Sequence, residues 1–179
     1  MPTNNRHQIQ YVRGGDWNAR NETYDSYVHD GQLGQKTTID DTDYITVKLD
    51  SGATSSVPQG AQAANDLAYW KNRRDGLVTH DARVAEMGIE SVAGVFPVVV
   101  TAGNVTAIKG IKSRNVSVLV DGSAFVAGDN VISDSAANGP QGTRIAAGTA
   151  AAQGRYVGKS LGVSANNVLQ VDLDLPDFA

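Results

Sequence analysis

After Gly88 this 179-residue chain becomes a regular alternation of short β-branched runs and turn residues, and that pattern constrains the fold more than any other feature. The runs fall at 95–101, 105–111, 116–120, 130–132, 144–146, 155–161 and 168–175. Gly103-Asn104, Asp121-Gly122, Gly128-Asp129-Asn130, Asn138-Gly139-Pro140 and Asn166-Asn167 separate them. A spacing of roughly ten residues between turn signals is that of antiparallel sandwiches and barrels. In the last run Val171, Leu173 and Leu175 alternate with Asp172 and Asp174, the period of a strand with one face in water. Residues 91–179 are therefore expected to form a compact all-β domain that folds as a unit.

The text before residue 90 reads differently. Tyr44 to Leu49 alternates with Thr46 and Lys48, and Asp50-Ser51-Gly52 then supplies a turn, which predicts a strand over 42–49. Ala61, Ala64, Leu67, Ala68, Leu77, Val78, Val84, Ala85 and Met87 lie near helical spacing, which predicts one or two helices over 58–88. Arg73 and Arg74 suit the end of the first, Gly76 its C′ position, and Thr79 the cap of a second whose first turn carries Asp81. Residues 1–34 show no sustained period and read as an irregular arm. The expected fold is thus mainly β: an arm over 1–34, a strand plus helical segment over 35–90, and a small antiparallel sandwich or barrel over 91–179.

The arm and the segment after it hold Tyr11, Trp17, Tyr24, Tyr27 and Trp70, in a half of the chain with little regular core to bury them. Aromatic side chains bury large area at small entropic cost and are enriched at interfaces, so these five are the candidate interface residues. A solvated tail is the alternative for the arm.

Charge and composition remove several function classes. The formal charge of −4 falls entirely in residues 1–90, since residues 91–179 carry six basic and six acidic side chains. No basic face suited to phosphate neutralisation is evident, so nucleic acid is not an expected partner. The absence of cysteine removes disulfides, thiolate metal sites and cysteine nucleophiles. The longest apolar run, 95–100, is broken by Pro97 and far too short to span a bilayer. The first residues carry no apolar signal segment, and synthesis in a cytoplasm is expected.

No catalytic, cofactor or metal site emerges. Gly154-Arg155-Tyr156-Val157-Gly158-Lys159-Ser160 resembles a phosphate-binding loop but is one residue short, with Gln153 where the first glycine belongs. His7, His29 and His80 lack metal-ligand spacing, and Asp40, Asp41 and Asp43 lack the glycine and distal glutamate of a calcium loop. His80-Asp81 is better read as part of a helix cap than as half of a catalytic pair. An enzyme is not expected.

Five stretches carry a family resemblance: Val120-Asp121-Gly122-Ser123-Ala124, Val126-Ala127-Gly128-Asp129-Asn130-Val131, Arg144-Ile145-Ala146-Ala147-Gly148, Tyr156-Val157-Gly158-Lys159-Ser160-Leu161 and Val168-Leu169-Gln170-Val171-Asp172-Leu173. From about residue 91 to 175 the chain resembles the small all-β decoration, or cement, proteins of tailed-phage heads. The resemblance implies a homotrimer that binds the major capsid protein on the outer surface of a virion and stabilises the shell. The other readings are a tail-tube, head-completion or fibre-associated subunit, and a glycan-binding β-module.

Overall fold

A computed structural model describes residues 33–51, 61–134, 139–149 and 155–175. The described chain is mainly β, arranged as a barrel-like sheet and a second sheet. The first sheet contains β1 (Lys36–Ile39), β2 (Thr42–Leu49), β3 (Leu67–Asn72), β4 (Leu77–Thr79), β5 (Val92–Val95) and β6 (Val105–Lys109) in the order β1-β2-β4-β3-β5-β6. β2 is long enough to serve three neighbours. Its residues Tyr44–Lys48 pair with β6, Thr42–Ile45 with β1, and Lys48 and Leu49 with β4, the last in parallel. The β2–β6 ladder returns the sheet to its start and removes most of its open edge. Asp40 and Asp41 join β1 to β2 with φ of 46° and 61°, the left-handed pair that a two-residue hairpin requires.

The second sheet pairs its neighbouring strands antiparallel, with β7 (Val116–Leu119), β8 (Asn130–Ser133), β9 (Gly142–Ile145), β10 (Tyr156–Ser160) and β11 (Val168–Leu173) in the order β7-β11-β10-β8-β9. A bridge between Val120 and Gly142 brings its two outer strands together at one end. Asn166 and Asn167, at φ of 52° and 60°, close a tight turn in which Ala165 and Val168 exchange backbone hydrogen bonds.

Two apolar clusters hold the sheets. One fills the first barrel with Ile45, Val47, Leu49, Trp70, Val78, Phe96 and Ile108 among others. The other joins Val116, Val118, Phe125, Val131, Val157 and Leu169 of the second sheet region to Leu67, Tyr69, Val92 and Val95 of the first. Strand β3 thus contributes Ala68 and Trp70 to one core and Leu67 and Tyr69 to the other. Backbone bonds run between the layers as well, from Leu67 N to the Pro140 carbonyl (2.7 Å) and from Leu119 N to the Asn65 carbonyl (2.8 Å).

The helices expected over 58–88 are absent from the described part of that segment, residues 61–88, which holds β3, β4 and two single 3-10 turns at Ala82–Val84 and Gly88–Glu90. The error has a physical source. A strand buried on both faces loses the alternation of period two, and Leu67-Ala68-Tyr69-Trp70 reads as a continuous apolar run. Gly76 does adopt a positive φ of 63°, but in the β3–β4 turn rather than beyond a helix. The division placed between residues 90 and 91 runs through the first sheet, because β5 pairs with β3 and β6 pairs with β2. Strands β1, β3 and β4 and most of β5 lie outside the strands expected from the sequence.

Candidate functional site

The described ionisable side chains are largely engaged in holding loops. Asp43, two residues into β2, is buried; it pairs with the Lys36 ammonium (2.8 Å) and accepts from the Thr38 hydroxyl (2.6 Å) and the Lys112 amide (3.2 Å). Burial by itself would raise its pKa, but these donors outweigh it and hold the carboxyl below the usual range. Asp81 caps the 3-10 turn at Ala82–Val84, accepting from the Arg83 amide (3.0 Å) and pairing with the Arg83 guanidinium (2.8 Å). Its own amide donates to the Thr79 hydroxyl (3.0 Å), so Thr79 and Asp81 cap a turn of three residues where a longer helix was expected. Lys71 pairs with Asp50.

A cleft of about 520 Å³ opens where the first sheet meets the second, with Asp41, Asp43, Asp172 and Asp174 opposed by Lys36, Lys112 and Arg114 on its walls. Its polar groups bind one another: Asn115 N donates to Asp172 Oδ1 (3.0 Å), and Arg114 N donates to the Asp41 carbonyl (3.3 Å). Among the described residues no group of three or more His, Asp or Glu side chains is placed to hold a metal ion.

From Tyr156 onward the phosphate-loop lookalike is strand β10. Gly158, Lys159 and Ser160 lie in β10, paired with Leu173, Asp172 and Val171 of β11. A Cβ on Gly158 would overlap the backbone carbonyl of Asp172, so this glycine serves the close approach of two strands.

Of the five candidate interface residues, Tyr11, Trp17, Tyr24 and Tyr27 lie outside the described residues. Trp70 is on β3 and 8% exposed, packed in the core of the first barrel. The Arg73 guanidinium stands 6.0 Å from its ring centroid. Trp70 also lines a pocket of about 220 Å³ together with Lys36, Ile45, Arg73, Ala93 and Ile111.

A different surface lies outside the residues that the sequence pattern singles out. The β7–β8 and β10–β11 loops meet at one end of the second sheet: Gly128 N donates to the Ser160 carbonyl (2.9 Å), Ser160 N donates to the Asp129 carbonyl (2.9 Å), and the Ser160 hydroxyl donates to the Val126 carbonyl. The Asp129 carboxylate, 2% exposed, anchors the group by accepting from Val126 N (2.9 Å), Arg144 Nε (2.5 Å) and Ala147 N (3.3 Å). The Arg144 guanidinium, and with it the amide donors, keeps the Asp129 pKa below the usual carboxylate range. On this rigid base Val126, Leu161 and Val163 stand 53%, 45% and 76% exposed. Residues 122–128 and 161–167 contain no ionisable side chain, a signal that was present in the sequence beside the turn residues that masked it.

No protein-family model matches the chain, and no curated protein is significantly similar to it.

Proposed function

We propose that this protein is a structural subunit that binds the outer surface of a tailed-phage capsid and stabilises it, as a homotrimer. The observation that carries the reading is the braced, charge-free loop surface bearing Val126, Leu161 and Val163. Exposed aliphatic side chains on a rigid base gain burial on contact without a large ordering cost, which suits adhesion to a protein surface. The engagement of Asp43, Asp81 and Asp129 in loop bracing fits the same reading, because such pairs support a scaffold rather than a reaction. In a trimer three weak contacts act together, and avidity offsets the small area of each. The arm over 1–34, with Tyr11, Trp17, Tyr24 and Tyr27, extends the contact to neighbouring subunits or the shell.

The test adds the purified protein to undecorated shells assembled from the major capsid protein of the same genome, followed by pelleting and shell melting. Co-pelleting with a raised shell melting temperature is expected, and Leu161→Asp with Val163→Asp should weaken both while leaving the subunit folded. A protein that neither pellets with shells nor changes their melting would remove the decoration reading. Ring-shaped assemblies seen instead by electron microscopy would favour a tail-tube or head-completion subunit.

A further inference from the structure

The cleft between the two sheets is lined by charges of both signs, and the bonds that build it leave several of them unused. Asp43 is taken by Lys36, Thr38 and the Lys112 amide, and Asp172 accepts from the Asn115 amide. The side chains of Asp41, Lys112, Arg114 and Asp174 line the same cleft, are exposed and, among the described residues, make no hydrogen bond or ion pair. The backbone holds these opposite charges apart. Lys112 and Arg114 stand on the connector between β6 and β7, Asp41 in the β1–β2 turn, and Asp174 directly after β11. Each segment is tied down: Arg114 N donates to the Asp41 carbonyl (3.3 Å), Leu173 N to the Ser113 carbonyl (2.8 Å), and Asp174 N to the Val157 carbonyl (3.0 Å).

This lining is selective. Among the described residues no set of carboxylates is placed for a metal ion. Four carboxylates and three cations nearly cancel, so a ligand with net charge gains little from the field of the cleft. An apolar ligand would strip water from these groups and return no bond. A hydroxyl group both donates and accepts, so a ring bearing several can satisfy acceptors on one wall and donors on another through charge-assisted bonds. The volume of about 520 Å³ falls within the roughly 300–1,000 Å³ of small-molecule sites. Burial, and then the charge of Asp174, raises the Tyr156 pKa, so the Tyr156 ring lies near the same carboxylate and offers an apolar face to the C–H side of a sugar. We propose that this cleft binds a neutral saccharide, with Asp41 and Asp174 accepting from its hydroxyls and Lys112 and Arg114 donating to them. The site shares no residue with the loop surface of Val126, Leu161 and Val163, and it stands independently of the capsid reading.

The test applies full-length protein to an array of immobilised neutral, sialylated and sulfated oligosaccharides. A neutral oligosaccharide that binds is then titrated free in solution, by calorimetry and by amide NMR. Binding of at least one neutral oligosaccharide is expected, with shifts at the amides of 112–115 and 172–174. Arg114→Ala and Asp174→Asn should each raise its Kd by about tenfold or more, the effect of losing one charge-assisted bond. Both side chains are exposed and their backbone bonds remain, so circular dichroism and urea midpoints should match those of the unaltered protein. Failure to bind any neutral oligosaccharide, shifts that map elsewhere, or full affinity in both variants would each overturn the site. Binding confined to sialylated or sulfated oligosaccharides would also overturn it and point instead to an anion site on Lys112 and Arg114.

Discussion

Asp66 and Asp129 are both buried carboxylates, and their surroundings push them in opposite directions. Asp66 is 2% exposed and accepts from Ala63 N (2.7 Å); burial outweighs that bond and raises its pKa to about 7. Between about pH 4 and pH 7 the folded state therefore holds a proton that the unfolded chain has released. Its contribution is fully present below the ordinary carboxylate range and is lost as pH rises through about 7. Asp66→Asn keeps an acceptor for Ala63 N and abolishes the titration. Urea midpoints between pH 4 and pH 8 should thus fall less steeply in the variant, by up to about 4 kcal/mol in stability over the window. Asp129 has a lowered pKa, so its contribution is present above the ordinary range and lost as pH falls through its folded value. Asp129→Asn should lower the melting temperature at pH 7 and speed amide exchange at Val126 and Ala147, whose N–H groups it holds. Tyr69 is fully buried, and its hydroxyl meets the Ser133 hydroxyl at 3.0 Å between the layers. Tyr69→Phe should cost about 1 kcal/mol with no change of fold, checked by denaturant titration and circular dichroism.

At the scale of elements, glycines set how closely strands approach. Gly158 lies in β10 opposite Leu173, where an added Cβ meets the Asp172 backbone; Gly94 in β5 has the same relation to the Lys109 carbonyl. Neither neighbour is a flexible side-chain end that can swing away. Gly158→Ala should cost about 1–3 kcal/mol by overpacking, measured as a shift in urea midpoint. Gly128, with φ of 89° and open space around it, should tolerate alanine sterically and suffer only from the backbone conformation. The comparison separates close approach from turn geometry as reasons for a glycine. Strand β3 shows why one element was readable and another was not. β2 alternates intermediate and buried residues along its whole length and its limits match the strand expected over 42–49, whereas β3 faces two cores and its apolar run mimics a helix.

The whole molecule is held by pairings that cross the midpoint of the chain. β5 and β6 complete the first sheet, and Leu67, Tyr69 and Val92 complete the core beneath the second. A fragment of residues 91–179 would keep β7 to β11 but leave β5 and β6 without β3 and β2 and expose the shared core. Such a fragment should aggregate or lack cooperative unfolding when expressed alone, and co-expression with residues 1–90 should restore soluble protein. Cooperative melting of the isolated fragment would show that the second sheet suffices by itself.

Much of the second sheet was legible without coordinates. The runs at 116–120, 130–132, 155–161 and 168–175 overlap β7, β8, β10 and β11 closely, because each has the local marks of a strand between turns. The Asn166-Asn167 and Asp40-Asp41 pairs sit where left-handed turn residues are needed, a preference that belongs to the residues themselves. The near-match around Lys159 departs from a phosphate loop in its glycine spacing, and its residues Tyr156–Ser160 form β10. What depended on tertiary contact was β3 and β4, whose identity comes from burial on both faces and from pairing with strands distant in sequence. The loop surface of Val126, Leu161 and Val163 likewise arises only when β8 and β10 pair and Asp129 gathers its donors, since its residues lie 37 positions apart from first to last. Local propensity specified turns and one-sided strands, and long-range packing decided which apolar runs became shared walls and which apolar residues stayed in water.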